Sequence, residues 1–538
     1  MQGRQLPGRR HHLPGRAFTR HYHALQQLPG SPGFAVAWTH PYTDRVAFDA
    51  SGLLQLFDDR GLYESFAASD EIHYYGLNSR DRRIELIESG EVRYRLRSAS
   101  GEIREFDVDG ELVAVRDLQA PQNDLRIVRA NGRIDRLIDA RGREAVFGYF
   151  GGLLSSITLP DGAVYRYGYD ADRNLASVDY GAGRIKRYHY AEAGLVGAPD
   201  HRHHLTGITA ESGTRYASFR YDARGRVLSS TVHGSPADVT TLTYSGSEQV
   251  TVTTAYGGTR AYAMQPGMYR RIVSVVDSDG MRGRTYTAEG LLETVTDKRG
   301  ATTRYGYTDG AVSSIIEAEG TAQQRRTEIV RDASHHGVTE QRVLNAGGTL
   351  VARTTMAYNS RGQVTSVTAH DPATGAARTS ATAYCEAADV TAGTCPLVGL
   401  VKSIDGPRSD VADVVNFAYR QTDHPDCAAA PTTCAWRKGD LWKTTNALGH
   451  VTEVLAYDGA GRATSVRDPN GITTTLQYDS RGWLTRRTVL GEPTIQFGDA
   501  VTIIAYTSDG LVETVVRPDL GFTTFKYDAG QRLTRVQY

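Results

Sequence analysis

The sequence predicts an all-β protein of stacked antiparallel β-hairpins that pair into one long, curling sheet. Three observations carry that prediction. An aromatic-Asp-x-x-Gly pentamer recurs along the 538 residues. Its tyrosines return at a spacing of 21, from Tyr286 to Tyr307, Tyr457 to Tyr478 and Tyr506 to Tyr527. The segments between turns, such as "ITTTLQY" and "ATTRYGY", are β-branched and aromatic, and no long window has a helical apolar period.

The pentamer is complete in six places: Phe48-Asp49 with Gly52, Phe57-Asp58 with Gly61, Phe106-Asp107 with Gly110, Tyr221-Asp222 with Gly225, Tyr457-Asp458 with Gly461, and Tyr478-Asp479 with Gly482. The aromatic ring closes a strand and offers a flat face to a neighbour. The Asp side chain accepts backbone N–H groups just ahead, an Asx-type turn. The glycine supplies the left-handed conformation of a short hairpin loop. At Tyr286, Tyr358 and Tyr506 the aspartate is replaced but the tyrosine and glycine stay. Tyr169, Tyr307 and Tyr527 begin near misses. In "YDADRN" Arg173 stands where glycine is expected, and the cheaper solution is a turn shifted so that Asn174 takes the left-handed position.

A second turn alternates with the first, in "LPDG" (159–162), "DKRG" (297–300), "DPNG" (468–471) and "PDLG" (518–521). Gly461, Gly471 and Gly482 then mark successive ends of strands about six residues, or roughly 20 Å, long. One hairpin is marginal in water, so many must pair side by side into a sheet that curls.

Composition narrows the function. Lys plus Arg and Asp plus Glu both number 61, so the basic excess of a nucleic-acid binder is missing. The chain carries 30 tyrosines but only six lysines, none after a glycine, which excludes a Walker A loop. There is no H-E-x-x-H and no nucleophile elbow. No apolar run reaches membrane-span length, and the Arg-rich "MQGRQLPGRRHHLPGR" lacks a signal-peptide core. The triplet His201, His203 and His204 reads as a polar loop rather than a metal site, and His335-His336 likewise. The pair Asp58-Asp59 sits inside a turn, so turn formation explains it better than acid–base work. The expectation is no catalytic activity and no cofactor.

These motifs resemble the RHS/YD-repeat family, whose signature is Tyr-Asp-x-x-Gly-Arg-Leu followed by a strand and a second turn. "FRYDARGRVLSS" (219–230) and "VLAYDGAGRATSVRDPNG" (454–471) are close matches. "FTRHYHA" (18–24) with "SPGFAVAWTHPY" (31–42) is similar to the family's opening, and the likeness covers nearly the whole chain. The resemblance implies a hollow β-shell wound from hairpins, the wall around a toxin domain in a secreted or cell-surface bacterial competition toxin. Its partners would be that toxin domain and the remaining shell, in a longer polypeptide or an adjacent frame. The alternative is a surface adhesion module that binds glycans through exposed aromatics.

The expected organisation is a basic, disordered leader (1–17), an opening β region (18–145), YD repeats (146–370), a Cys-containing insert (371–440) and further, truncated repeats (441–538). The shell is expected to be incomplete, without plug, junction motif or toxin domain. All four cysteines lie in the insert, Cys385 ten positions from Cys395 and Cys427 seven from Cys434. Two readings stand side by side: four free thiols in a loop, or two local disulfides formed in an oxidising compartment.

Overall fold

The computed structural model describes residues 11–13, 16–23, 34–58, 63–76, 82–88, 90–98, 101–198, 200–234, 236–266, 271–308, 311–332, 337–491 and 498–538. Among them, 42 strands from Arg45–Phe48 to Leu533–Gln537 form one antiparallel sheet. Each strand pairs with the next in sequence, and no ladder joins the last strand to the first. One short α-helix (Ala387–Thr391) and two 3-10 turns are the only helical elements among the described residues.

The curl has a local origin. Strand Val164–Tyr169 pairs with Leu175–Asp179, and the register slips by one residue between Gly168 and Tyr169. The same slip stands at Tyr190, Tyr221, Tyr286, Tyr307, Tyr358, Tyr457, Tyr478, Tyr506 and Tyr527. An extra residue in one strand bends it and adds right-handed twist. Repeating that bulge at the tyrosine end of each hairpin turns a flat ribbon into a coil.

The first coil is tight. The Val46 N–H donates to the Gly110 carbonyl at 2.8 Å, and Arg45 bridges to Glu111. A Cβ at Gly110 would collide with the Val46 carbonyl oxygen, so only glycine fits there. Beyond Glu111 the wall widens. Residues 119–236 run alongside residues 362–532, and the contacting residues are mostly 295–301 positions apart.

Burial is uneven. The main hydrophobic cluster runs from Phe18 to Ala217 and includes Phe66, Phe106, Leu137, Ile157 and Val178. Later strands are half-exposed on both faces, as in Thr302–Thr308 and Thr473–Tyr478. The accessible surface is 27886 Å², against about 19,000 Å² for a filled monomer of this mass. Much of the sheet is therefore exposed on both faces, and its filled part lies at the N-terminal end.

Several expectations need correction. Residues 18–23 and 34–42 fold back onto the coil as a cap, with Phe18, Trp38 and Tyr42 buried against the strands. Of the expected leader only 11–13 and 16–17 lie among the described residues, and there His11–Leu13 pairs with Arg16–Phe18. The insert at 371–440 is no break in the wall. Ala377–Tyr384, Val401–Asp405 and Val415–Tyr419 continue the sheet, and 385–400, 406–414 and 420–440 loop out between its strands. Arg173 itself takes the left-handed position, at φ 64°. In "PDLG" that position falls on Leu520, also at φ 64°, and not on Gly521.

Candidate functional site

The site of a wall protein is the set of contacts that build the wall, and the repeat turn is its unit. At Asp222 the backbone N–H donates to the Arg226 carbonyl, and Gly225 donates back to Asp222. One carboxylate oxygen accepts the N–H groups of Arg224 and Arg226, both at 2.9 Å, and the other accepts Arg226 Nε at 2.7 Å. Asp458 with Arg462 and Asp528 with Arg532 repeat this clamp. The turns at Asp49, Asp107 and Asp479 make the backbone bonds without the guanidinium. The Ser51 hydroxyl, with the Leu53 and Ser51 N–H groups, holds the Asp49 carboxyl below its usual range. Gly52, Gly110, Gly225, Gly461 and Gly482 all have φ between 73° and 82°. In the Phe57-Asp58 copy, Gly61 lies outside the described residues.

Asn174 explains why Arg173 accepts a strained backbone. Asn174 occupies the clamp position of Arg226. Its Nδ2 donates to Asp170 Oδ2 at 2.9 Å and to the Arg202 carbonyl at 3.1 Å, and it is fully buried. Shifting the turn by one residue would pull that buried amide out of place, which costs more than one left-handed arginine.

The tyrosine hydroxyls carry a role that the sequence reading missed. Tyr169 donates to the Leu154 carbonyl, Tyr190 to Leu175, Tyr307 to Leu292, Tyr457 to Leu441, Tyr478 to Ala463 and Tyr527 to Val512, at 2.6–3.0 Å. The ladder between Leu153–Thr158 and Val164–Tyr169 runs only over Ser156–Thr158, so the hydroxyl supplies a donor beyond the ladder's end. A signal was present: the aromatic is phenylalanine at 48, 57 and 106 in the tight coil and tyrosine in the complete copies of the wide coil.

The seam between coils joins second-type turns of one pass to aromatic-Asp turns and loops of the next. Arg143 Nη2 lies 2.6 Å from Asp440 Oδ2, and Arg141 Nε lies 3.1 Å from Asp440 Oδ1. Arg462 reaches Asp161 at 2.8 Å, Arg184 reaches Asp479 at 2.9 Å, and Arg481 reaches Glu211 at 2.9 Å. The Arg481 guanidinium also lies over the rings of Tyr180 and Trp483. Buried guanidinium–carboxylate pairs are directional, so they fix which turn meets which.

The N-terminal cap is aromatic around one arginine. Arg20 Nη2 donates to the Tyr180 hydroxyl at 2.7 Å, Trp38 Nε1 donates to the Tyr190 hydroxyl at 2.9 Å, and Tyr22 donates to the His203 carbonyl at 2.7 Å. His40 is buried against Phe18 and Phe34, and desolvation lowers its pKa to about 3. His201 stacks on His204, which lies edge-on to Tyr221, and His203 bonds the Asn174 amide. The triplet is wall structure. The described residues bring together no metal-binding group of His, Cys, Asp and Glu, and His335 and His336 lie outside them. Cys385 is joined to Cys395 and Cys427 to Cys434, with Cα atoms 5.9 Å and 4.6 Å apart.

This fold and seam define a β-spiral repeat wall. Residues 151–185 and 457–492 match the family model of the RHS Repeat. Those two stretches are what the chain shares with that family. No curated protein matches it. Among solved structures, the crystal structure of TcdB2-TccC3 aligns at 12% identity and TM-score 0.40, over 90% of this chain and 27% of that one. The Tc holotoxin pore of Photorhabdus luminescens aligns at 12% identity and TM-score 0.34, over 90% of this chain and 30% of that one. The chain therefore spans less than a third of either. No helix among the described residues is long and apolar enough to cross a membrane.

Proposed function

We propose that this chain is a non-catalytic wall segment of a toxin-enclosing RHS shell, made for secretion or display at the cell surface and used in contact-dependent competition between bacteria. The observation that carries the reading is the surplus of surface: 27886 Å² where a filled protein would expose about 19,000 Å². A wall built at that cost in exposed area is a container. Its partners are a toxin domain and the rest of the shell, which enclose the cargo together with this segment. The glycan reading has less behind it, because the repeat tyrosines spend their hydroxyls inside the wall.

Small-angle X-ray scattering of the purified chain tests the container. A filled chain of this length has a radius of gyration of about 24 Å. A clearly larger value, with the distance distribution of a hollow body, supports the reading, and a value near the filled one sinks it. Deleting the coding segment in the producing strain tests the role, with loss of killing of neighbouring cells as the expected result.

A further inference from the structure

Both disulfides lie where the second pass of the wall first meets the earlier one, and each holds a loop that makes the contact. Cys385–Cys395 pins the excursion 385–400, which carries Gly399 four residues past the second cysteine. The Cys385 N–H donates to the Leu400 carbonyl, and the Gly399 N–H donates to the Cys385 carbonyl, both at 2.8 Å. Gly399 is the point of closest approach: a Cβ there would lie 2.6 Å from Pro121 Cγ of the earlier pass. Its carbonyl accepts Gln363 Nε2 at 2.9 Å, and Gln119 Nε2 donates to the Gly362 carbonyl next door. Leu397, in the same loop, lies against Gly439, which Arg141 of the earlier pass also approaches.

Cys427–Cys434 closes the second loop. Thr432 within it is wedged between two turns. A Cβ at Gly459 would run into the Thr432 carbonyl oxygen, and one at Gly162 would lie 3.5 Å from Thr432 Cγ2. The Tyr457 N–H donates to the Ala435 carbonyl just past the disulfide. The loop ends at Asp440, the acceptor of Arg141 and Arg143. All four sulfur-bearing residues are buried.

We propose that the two disulfides form a thiol-sensitive clasp on the seam between successive coils, so that their reduction releases 119–162 from 397–459 while the sheet itself stays paired. The step consumes an external thiol: each disulfide takes two electrons and two protons from two thiol molecules, giving two cysteines and one external disulfide. Strand ladders on either side do not pass through the cysteines, so the sheet keeps its hydrogen bonds. The sulfurs are buried within the loops that make the contact, Cys385 and Cys395 against Val390, Leu397, Leu400 and Tyr419, so a thiol reaches them only when those loops loosen. Opening and reduction then promote each other, as linked equilibria must. The clasp rests on the wall's geometry, whatever the wall encloses.

Hydrogen exchange on the full chain, with and without dithiothreitol, decides it. On reduction, peptides covering 139–143, 159–163 and 432–440 should exchange about tenfold faster, while 302–316 stays unchanged. Unchanged seam peptides in a chain whose four thiols have been shown reduced by alkylation and mass would overturn the proposal. So would loss of protection throughout the sheet, or cysteines that stay oxidised under excess thiol. Two variants separate the clasp from a general folding role. Cys427→Ala with Cys434→Ala should loosen 159–163 and leave the Pro121 contact protected. Asp440→Asn, with both disulfides intact, should speed their reduction several-fold, and an unaltered reduction rate would break the claimed coupling.

Discussion

Arg143 and Asp440, 297 residues apart in sequence, meet at 2.6 Å with both side chains 4% exposed. Removing one partner leaves a buried charge, which costs about 3–5 kcal/mol. Asp440→Ala takes the nearest carboxylate from Arg141 as well as Arg143, leaving Arg143 only Asp139 at 3.7 Å. The expected outcome is local: faster hydrogen exchange over 139–143 with little change at 302–316. The double variant Arg143→Met, Asp440→Leu should lose much less than the single one.

Tyr169→Phe deletes the donor to the Leu154 carbonyl and keeps the ring. An unsatisfied carbonyl beside the buried cluster costs about 1–3 kcal/mol. Tyr527→Phe, at the exposed last hairpin, should cost less, because water replaces the lost donor at Val512. Denaturation midpoints of the two variants check the order.

Arg173→Gly removes a left-handed arginine and should stabilise the protein by about 1 kcal/mol. Asn174→Val should destabilise it by more than that, since the buried amide loses Asp170 and the Arg202 carbonyl. Leu520→Gly should gain stability as Arg173→Gly does. Thermal melts of the three variants give the test.

The cap should weaken in acid. Buried His40 refuses a proton until about pH 3, whereas the unfolded chain takes one up below its ordinary pKa of 6.5. This contribution is therefore full above pH 6.5 and falls as pH drops from there toward 3, by about 1.4 kcal/mol per pH unit. Exchange protection of residues 34–42 should decline over that window, and more gently in His40→Gln. Equal slopes in the two proteins would show that another group governs the cap.

The repeating unit is legible in the sequence. Turns at Asp222, Asp458 and Asp479 are settled within five residues by an aspartate, two N–H groups and a glycine, so their chemistry is written locally. The all-β class follows from the same short range, as does the nearness in sequence of each cysteine to its partner. Tertiary structure alone decided three things. It chose Arg173 over Asn174 for the left-handed position, because the Asn174 amide has a distant partner in the Arg202 carbonyl. It folded residues 18–23 and 34–42 back as a cap, because Arg20 and Trp38 find their partners in tyrosines more than 150 residues away. It also set Arg143 opposite Asp440, Arg184 opposite Asp479 and Arg462 opposite Asp161. Which turns meet across the seam depends on twist summed over a whole coil of bulged hairpins. No local pattern records that sum, and a small change in twist per hairpin would bring a different set of turns face to face.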